Sequence, residues 1–330
     1  MNAAEKARLA RQAREQEKRE KRENFRESLS DHRGWIIAAV ILVIIGVLCA
    51  IFIPMIVSNY QKTLYTEDGV VYVLKNGTYS AKSVEDGQAE VTVKGEINGL
   101  PVIAIQKNFG RKSATLVKVT IETENSLEIA KKAFDNCTVL KEVVFTGGGT
   151  VSIEENAFKK CIQLKNLTVE GADVLGAQYL FDEGKAPALT ITIKNGSFRQ
   201  LYDTVKKVEL SEGSSFGATI VGSGMVVKEF VLLDNVRGEG KFGALGFAFR
   251  EKPHLIAPTY YISEKVTKIP DNFFGTEKEA NKLNIYFGGT EAEWNALIAT
   301  ADRSTNQYFF DLGDNVTVHY GVSYEDFNNR

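Results

Sequence analysis

The longest run of apolar residues lies near the start of the 330-residue chain. From Trp35 to Val57 the sequence reads WIIAAVILVIIGVLCAIFIPMIV, which is 23 residues without a charged side chain. A helix of this length would be about 34 Å long, which is enough to cross a bilayer. A cleaved signal peptide fits less well, because its apolar region usually has about 7 to 15 residues and ends at a small-x-small site. The pattern therefore predicts a single transmembrane helix over residues 34–58.

The segment before this run is charged and rich in residues that favour helix. Residues 1–33 hold ten basic and seven acidic side chains and lack the apolar stripe of a coiled coil. We expect a charged helix or tail. The alternative is contact with anionic lipid through Lys18, Arg19, Lys21 and Arg22. Arg26 and Arg33 flank the apolar run on this side, whereas Lys62 is the only basic residue close on the other. This bias predicts a single-pass protein of the cell membrane, with a cytoplasmic N-terminus and an extracellular ectodomain.

Two small residues within the apolar run have the spacing of a helix-pairing motif. Gly46 and Ala50 are four positions apart, so two helix backbones could approach closely along that side. The spacing predicts weak homodimer formation through the transmembrane helix.

The rest of the chain carries an internal repeat of 24 residues. Segment 129–145, IAKKAFDNCTVLKEVVF, aligns without a gap with segment 153–169, IEENAFKKCIQLKNLTV, and six positions are identical. The identical pairs are Ile129/Ile153, Ala133/Ala157, Phe134/Phe158, Cys137/Cys161, Leu140/Leu164 and Lys141/Lys165. The apolar columns extend in both directions, through Ile103/Leu127/Val151, Phe109, Val205/Val208/Leu210, Val227/Phe230/Leu232 and Ile269 to Phe274.

This period and its apolar alternation indicate a solenoid of the leucine-rich-repeat type. Within one unit Leu164, Leu167 and Val169 alternate as a strand of a parallel stack requires, while Phe134 and Phe158 would fill the opposite wall. One repeat alone would leave a hydrophobic face open, so neighbouring repeats must cover it and both ends need caps. We expect a β-rich solenoid over residues 105–290, irregular between 172 and 260.

Both predicted caps have local signals. In the N-terminal β cap and linker, residues 59–104, Asn76-Gly77 is a hairpin signal between two strand-like runs. The C-terminal cap, residues 291–330, follows Thr290-Glu291-Ala292-Glu293, a capping box that would begin a helix. That helix would bury Trp294, Leu297 and Ile298, and a last strand from Val316 to Tyr320 would close the sheet.

Cys137 and Cys161 occupy equivalent positions in adjacent repeats. Equivalent residues of stacked strands lie about 4.8 Å apart, within the Cα range of a disulfide, and an extracellular location would permit oxidation. However, equivalent side chains point in parallel, and a free Cys is a suitable small buried side chain beside the Phe column. Ser113 occupies the same place one repeat earlier. We therefore predict two reduced, buried thiols, with the disulfide as the alternative.

Three sequence features together resemble the BspA-like leucine-rich repeat proteins. They are the motif I-x-x-x-AF-x-x-C-x-x-L-x-x-V, the entry YVLKNGTY followed by INGLPVIAI, and the exit IYFGGTEAEW. The resemblance covers about residues 70–323 and departs between 172 and 260, where no AF-x-x-C occurs. It implies bacterial-type surface proteins, with some protist relatives, that bind other molecules and in some cases adhere to host or neighbouring-cell macromolecules. It implies no catalytic motif.

Charge and composition exclude several classes of function. The chain has 40 basic and 42 acidic residues, a formal charge of −2, so no whole-protein field favours nucleic acid. Three Cys and three dispersed His exclude a disulfide framework and a zinc module. HExxH and GxxxxGK[ST] are absent, and the carboxylates are expected on a solvated surface. We therefore expect no enzyme activity, no cofactor and no metal.

If the strands line a concave face, the side chains between the core positions form two outward columns on it. Binding surfaces are enriched in Tyr, Trp and Arg, whereas these columns are mixed in charge and poor in aromatics. The alternative for every exposed position is a solvated scaffold. Tyr260 and Tyr261 are a further contact candidate, with packing against a neighbouring repeat as the alternative. The columns are Lys118, Glu142, Asn166, Lys207, Glu229 and Thr120, Val144, Thr168, Glu209, Val231.

Two functions of different classes fit these observations. The first is a membrane-anchored surface module for recognition or adhesion, which binds a protein or glycan on its solenoid face. The second is a structural or accessory envelope protein whose ectodomain contacts a membrane partner.

Overall fold

The structure is a computed structural model. It describes residues 3–176, 179–182, 188–199, 205–217, 227–236, 259–271, 273–274 and 282–330; within the first helix the side chains described are those of 8–27, 35 and 37–53. The chain divides into two compact units, Met1–Thr63 and Leu64–Arg330.

The first unit is a single helix, α1, from Ala3 to Lys62. Helix was predicted for its apolar segment and a helix or a tail for its charged segment, and both segments are helical. The described side chains of residues 37–53 are exposed. Within the part of the chain that the structure describes, no helix is long and apolar enough to cross a membrane. The transmembrane helix predicted over residues 34–58 is thus not found among those residues.

The second unit begins with the predicted hairpin cap. Antiparallel strands meet at Asn76 and Gly77, whose φ angles of 53° and 77° are those that a tight hairpin turn requires. The chain then enters the solenoid through short strands. The strands of this entry region are β1 (Leu64–Glu67), β2 (Val70–Lys75), β3 (Thr78–Val84), β4 (Glu90–Val93), β5 (Glu96–Ile97) and β6 (Leu100–Ile105).

From residue 118 to residue 232 the described strands alternate between two sheets, A and B, so that each solenoid turn there contributes one strand to each. The described strands after residue 232 all belong to sheet B. Sheet A has the order β1-β2-β3-β6-β8-β10-β12-β14-β16, where β8 is Ser126–Ile129, β10 Thr150–Ile153, β12 Asp173–Leu175, β14 Ser197–Arg199 and β16 Ser215–Gly217. Sheet B has the order β4-β7-β9-β11-β13-β15-β17-β18-β19-β20. Its strands after β4 are β7 (Lys118–Glu122), β9 (Glu142–Thr146), β11 (Asn166–Glu170), β13 (Thr190–Lys194), β15 (Val205–Leu210), β17 (Val227–Leu232), β18 (Thr259–Ile262), β19 (Leu283–Phe287) and β20 (Val316–His319).

The register of sheet B explains why the repeat weakens in the middle of the sequence. Paired residues are 24 apart from Lys118 through Glu142 and Asn166 to Thr190. The next pairs, Thr190 with Lys207 and Lys207 with Glu229, are 17 and 22 apart. Strand pairing continues while the connecting segments change length, because a β-ladder constrains the strands and leaves the loops free to vary. The predicted apolar columns Val205/Val208/Leu210 and Val227/Phe230/Leu232 are confirmed as register partners.

Aromatic rings fill the core opposite the strands, as predicted. Phe134 and Phe158 are fully buried and stack with their centroids 5.1 Å apart. Phe109 meets Phe134 edge to face, and Phe181 continues the column beyond Phe158. The column therefore extends over four turns although the AF-x-x-C motif occurs in two of them.

Cys137 and Cys161, which occupy equivalent positions in adjacent repeats, lie beside this column as free, buried thiols. Cys161 Sγ donates to the carbonyl of Phe134 at 3.1 Å, and Cys137 Sγ donates to the carbonyl of Gly110, the equivalent atom one repeat earlier. The neighbouring Cys137 thiol and burial raise the pKa of the Cys161 thiol. Each thiol is therefore a repeated polar link between turns.

One predicted core position is wrong. Ile103 was placed in a column with Leu127 and Val151, yet its side chain is 41% exposed and Val102 is buried instead. The pairing of β3 with β6 shifts register between Tyr79 and Ser80, which skips Ile103. A β-bulge of this kind turns the extra residue to the outer side.

The C-terminal cap follows the predicted capping box. Thr290 and Glu293 exchange hydrogen bonds at the start of α2 (Glu291–Ile298), which buries Trp294 and Leu297, with Ile298 packed partly against the core. After α2 come α3 (Gln307–Leu312), a 3-10 turn at Gly313–Asn315, strand β20 at the end of sheet B, and α4 (Tyr324–Asn328).

Replacing Phe134 by Ala should lower the free energy of unfolding by about 3 to 5 kcal/mol, because it leaves a cavity within the ring column. Urea denaturation of the full chain measures this value. The matched control is Ile162→Ala, since Ile162 is 65% exposed and should lose less than about 0.5 kcal/mol. A loss below about 1 kcal/mol for Phe134→Ala would contradict the core assignment.

In a Cys49→Ser chain, Cys137 and Cys161 should not react with Ellman's reagent while the protein is folded, since both thiols are buried. Two thiols should appear once denaturant is added. Rapid reaction of the folded chain would contradict their burial. Failure to detect any thiol in denaturant without reductant would mean that they form a disulfide.

Candidate functional site

The outward side chains of sheet B form two continuous columns, which we call the outer face. All the residues predicted for the two columns lie in them, and strand register joins each to the next. The first column is Glu90, Lys118, Glu142, Asn166, Thr190, Lys207, Glu229, Thr259, Asn284 and Thr317. The second is Thr92, Thr120, Val144, Thr168, Thr192, Glu209, Val231, Tyr261, Tyr286 and His319.

Sequence reasoning missed a strand within these columns. Thr190 and Thr192 of β13 stand between Asn166 and Lys207, which the sequence had placed side by side. The AF-x-x-C motif is absent from this turn, and the distance along the chain from Thr190 to its partner Lys207 falls to 17 residues. The 24-residue period alone therefore did not identify strand β13. The alternation Thr-Ile-Thr-Ile of residues 190–193 is the signal that would have identified the strand.

The face from β4 to β13, which we call the open part, is polar and half-buried. Its second column is Thr92, Thr120, Val144, Thr168 and Thr192, and Val has the same shape as Thr. Hydroxyl and methyl groups thus repeat at the strand spacing of about 4.8 Å.

Charges of both signs accompany this threonine column. Lys118 Nζ lies 3.2 Å from Glu142 Oε1, and about a third of each side chain is exposed. At the edge of the sheet, Lys94 Nζ lies 3.4 Å from Glu122 and 3.5 Å from Asp68. Burial acts to lower the pKa of Lys94, but the charges of Glu122 and Asp68 outweigh it and the pKa is raised.

A shallow hollow of about 140 Å³ lies at the same end, lined by Asp68, Glu90, Thr92, Lys118 and Thr120. It offers carboxylates, hydroxyls and an ammonium group within one small area. Such a set can donate and accept hydrogen bonds to a polar ligand. Among the described residues, no cluster of acidic, His or Cys side chains could hold a metal ion.

The face from β15 to β19, which we call the covered part, lies under the end of the same chain. Ser323 caps α4 by accepting a hydrogen bond from the Asp326 amide at 3.0 Å. The ring of Phe327 is 1% exposed and lies on a small cluster with Val231 and Tyr261. Its centroid is 5.1 Å from that of Tyr261 and 5.4 Å from that of Tyr286.

Polar contacts surround this aromatic centre. Arg330 Nη2 donates to Glu229 Oε1 at 2.8 Å, and Lys207 Nζ donates to Asn328 Oδ1 at 2.8 Å. Tyr324 Oη donates to Glu209, and burial together with this hydrogen bond raises the pKa of Tyr324. The predicted columns do lie on the outer side of sheet B, but four of the residues predicted for an open binding face are covered by residues 324–330. They are Lys207, Glu209, Glu229 and Val231.

Both tyrosines proposed as contacts are buried. Tyr260 points inward and is 1% exposed, with its ring 5.3 Å from that of Phe273. Tyr261 points outward, but α4 covers it and leaves 2% exposed. The alternative of packing against a neighbouring repeat is confirmed for Tyr260, whereas Tyr261 packs against Phe327 of the C-terminal cap.

The solenoid turns coincide with a known repeat family. Residues 103–212 match the family model for the BspA type leucine-rich repeat region in six copies. This region consists of BspA-type leucine-rich repeats. The resemblance read from the AF-x-x-C motif is thus confirmed, and the match extends through β13 and β15 of the irregular segment.

Three solved structures are similar to this chain at low identity. A leucine-rich repeat protein of T. pallidum is 17% identical, with 46% of this chain and 85% of that chain covered and a TM-score of 0.31. A leucine-rich cell surface protein of Faecalibacterium prausnitzii A2-165 is 13% identical, with 80% and 96% covered and a TM-score of 0.28. The pneumococcal vaccine antigen PcpA is 12% identical, with 78% and 98% covered and a TM-score of 0.19. No match was found among curated proteins.

Proposed function

We propose that this BspA-type solenoid is a surface recognition module that binds an extended protein or glycan along the open part of the outer face. The observation that carries the proposal is the unbroken register of five strands from β4 to β13. Their inward side chains supply the core, whereas the outward ones present hydroxyl, amide and charged groups in straight columns.

The chemistry of the open part favours a polar ligand of low net charge. Lys118 is flanked by Glu90 and Glu142 in the first column, so the face has no basic patch for a polyanion. Hydroxyl and amide groups at strand spacing match the peptide groups of an extended chain or the hydroxyls of a sugar polymer. Because aromatic anchors are lacking there, each contact contributes little and affinity depends on the length engaged.

Two sources of ligand correspond to two functions. A ligand from host matrix or neighbouring cells makes the protein a recognition or adhesion module, which we favour because the surface is extended and polar. A ligand from the cell's own membrane makes it an accessory envelope protein. Both use the same face, so one set of variants tests both.

Thr168→Arg should reduce binding at least tenfold, because it places a long cation in the centre of the open part. We would immobilise the full chain and measure capture of host matrix proteins, neighbouring cells and own-cell membrane extract in separate arms. Ser152→Arg is the matched control, since it adds the same side chain at an exposed position of β10 in sheet A. Both changes should alter the free energy of unfolding by less than about 0.5 kcal/mol.

The three arms also separate the two functions. Binding in the matrix or cell arm supports adhesion, and binding confined to the own-membrane arm supports the accessory function. If Thr168→Arg and Ser152→Arg bind every probe equally well, the open part is not the binding site.

We also propose that residues 34–58 anchor the protein to the cell membrane, with residues 1–33 in the cytoplasm. Support comes from the 23 uncharged residues between Trp35 and Val57 and from the exposure of the described side chains of residues 37–53. Apolar side chains in such number favour a lipid environment over water.

Protease added to spheroplasts should remove residues 64–330 and spare the N-terminal segment, which an antibody to an N-terminal tag would detect. Ile44→Lys should shift the chain from the membrane to the soluble fraction, because a charge at the centre of a span costs about 3 kcal/mol. Gln12→Lys, which adds the same charge in the polar segment, should have no effect. Recovery of the unmodified chain in the soluble fraction would contradict anchoring.

A further inference from the structure

The aromatic cluster beneath α4 is separate from the solenoid core. Val231, Tyr261 and Phe327 are buried together, with Tyr286 and Tyr324 at their margin, and they form a cluster distinct from the one that runs through the repeats. Val231 and Tyr261 point to the outer side of sheet B, so Phe327 and its neighbours are what excludes water from them. The solenoid core on the inner side does not depend on that cover.

The segment that covers this cluster carries the residue types that dominate protein interfaces. Tyr324, Phe327 and Arg330 follow one another at intervals of three residues. The Arg330 guanidinium carbon lies 3.7 Å from the ring centroid of Phe327 and 4.9 Å from that of Tyr286. Its Nη2 atom donates a hydrogen bond to the Glu229 carboxylate. Aromatic and arginine anchors in a desolvated pocket are typical of binding hot spots.

We propose that the covered part is a docking site for a protein segment of the form Tyr-x-x-Phe-x-x-Arg, and that residues 323–330 occupy it in cis as a displaceable strap. The sheet supplies an apolar platform from Val231, Tyr261 and Tyr286 and a carboxylate at Glu229. The partner would be a segment of another protein that presents two aromatic rings and an arginine. This inference is independent of the ligand proposed for the open part.

Three observations indicate that the strap can leave. Helix α4 has five residues, far fewer than the roughly 12 that a helix needs to persist alone in water. Its buried contacts are confined to the separate cluster, so its release does not open the core. Beside it, a groove of about 440 Å³ continues past Tyr261 and Tyr324 toward Glu264 and Gly288, which leaves room for a longer ligand.

Because residues 323–330 already occupy the site, another segment must exceed a minimum affinity to displace them. A tethered segment acts at an effective concentration of about the millimolar range, so a weak ligand added in trans is excluded while a tight one displaces it. The strap would therefore restrict this site to partners with a better match than its own sequence. A purely structural clip would instead stay bound and exclude every ligand in trans.

The test uses the full chain carrying Phe327→Asp, which should release the strap without truncating it. The probe is a fluorescent peptide of the sequence of residues 321–330, GVSYEDFNNR, and binding is measured by anisotropy. The Phe327→Asp chain should bind the peptide at least tenfold more tightly than the unmodified chain. A peptide with Ala in place of its Phe should bind neither chain. Equal binding by both chains, or none by a folded Phe327→Asp chain, would overturn the proposal.

Exchanging the charges of the Arg330–Glu229 pair distinguishes specific peptide binding from misfolding and non-specific binding. A chain carrying Phe327→Asp and Glu229→Arg should lose the natural peptide and regain affinity for a peptide with Glu in place of its Arg. If Phe327→Asp disturbs folding, Arg330→Glu serves as the releasing change in the same assay.

Adding Thr168→Arg should leave peptide binding unchanged, which separates this site from the open part. A dimer of the unmodified chain that exchanges its strap would overturn the assignment in cis.

Discussion

Parallel pairing between strands of successive turns is the interaction on which the rest of this structure depends. Each pair places equivalent residues beside one another, so the inward positions build a continuous core and the outward positions build straight columns. Side-chain contacts repeat from turn to turn for the same reason. Examples are the stacked rings of Phe134 and Phe158 and the thiol hydrogen bonds to the Gly110 and Phe134 carbonyls. A surface with regular spacing is therefore a direct consequence of how the core is filled.

The outer face has two chemically different parts because different residues occupy the same columns. From β4 to β13 the columns are threonine-rich and carry charges of both signs, and solvent reaches them. From β15 to β19 the second column becomes Glu209, Val231, Tyr261 and Tyr286, and the chain's own aromatic and arginine side chains cover it. One solenoid thus presents an extended polar surface beside a compact aromatic site.

The parts of this fold that sequence predicted are those in which the signal is local. The Asn76-Gly77 hairpin and the Thr290 capping box each depend on residues a few positions apart, and both are present. The 24-residue repeat is present too, and it was found because each unit carries the same short motif. The bulge that turns Ile103 outward depends on how β6 meets β3, which the repeat pattern does not contain. The position of the strap depends on contacts such as Tyr324 with Glu209, 115 residues apart, so sequence alone placed the columns but not their cover.

The central claim is that one unbroken ladder from β4 to β13 aligns the outer face. The most direct test is pulsed electron paramagnetic resonance between spin labels at Thr92→Cys and Thr192→Cys in a Cys49→Ser chain. Four strand steps separate the two positions, so the account predicts backbones about 19 Å apart and a single narrow distance distribution. A broad distribution, or one centred beyond about 30 Å, would contradict the ladder and the face built on it.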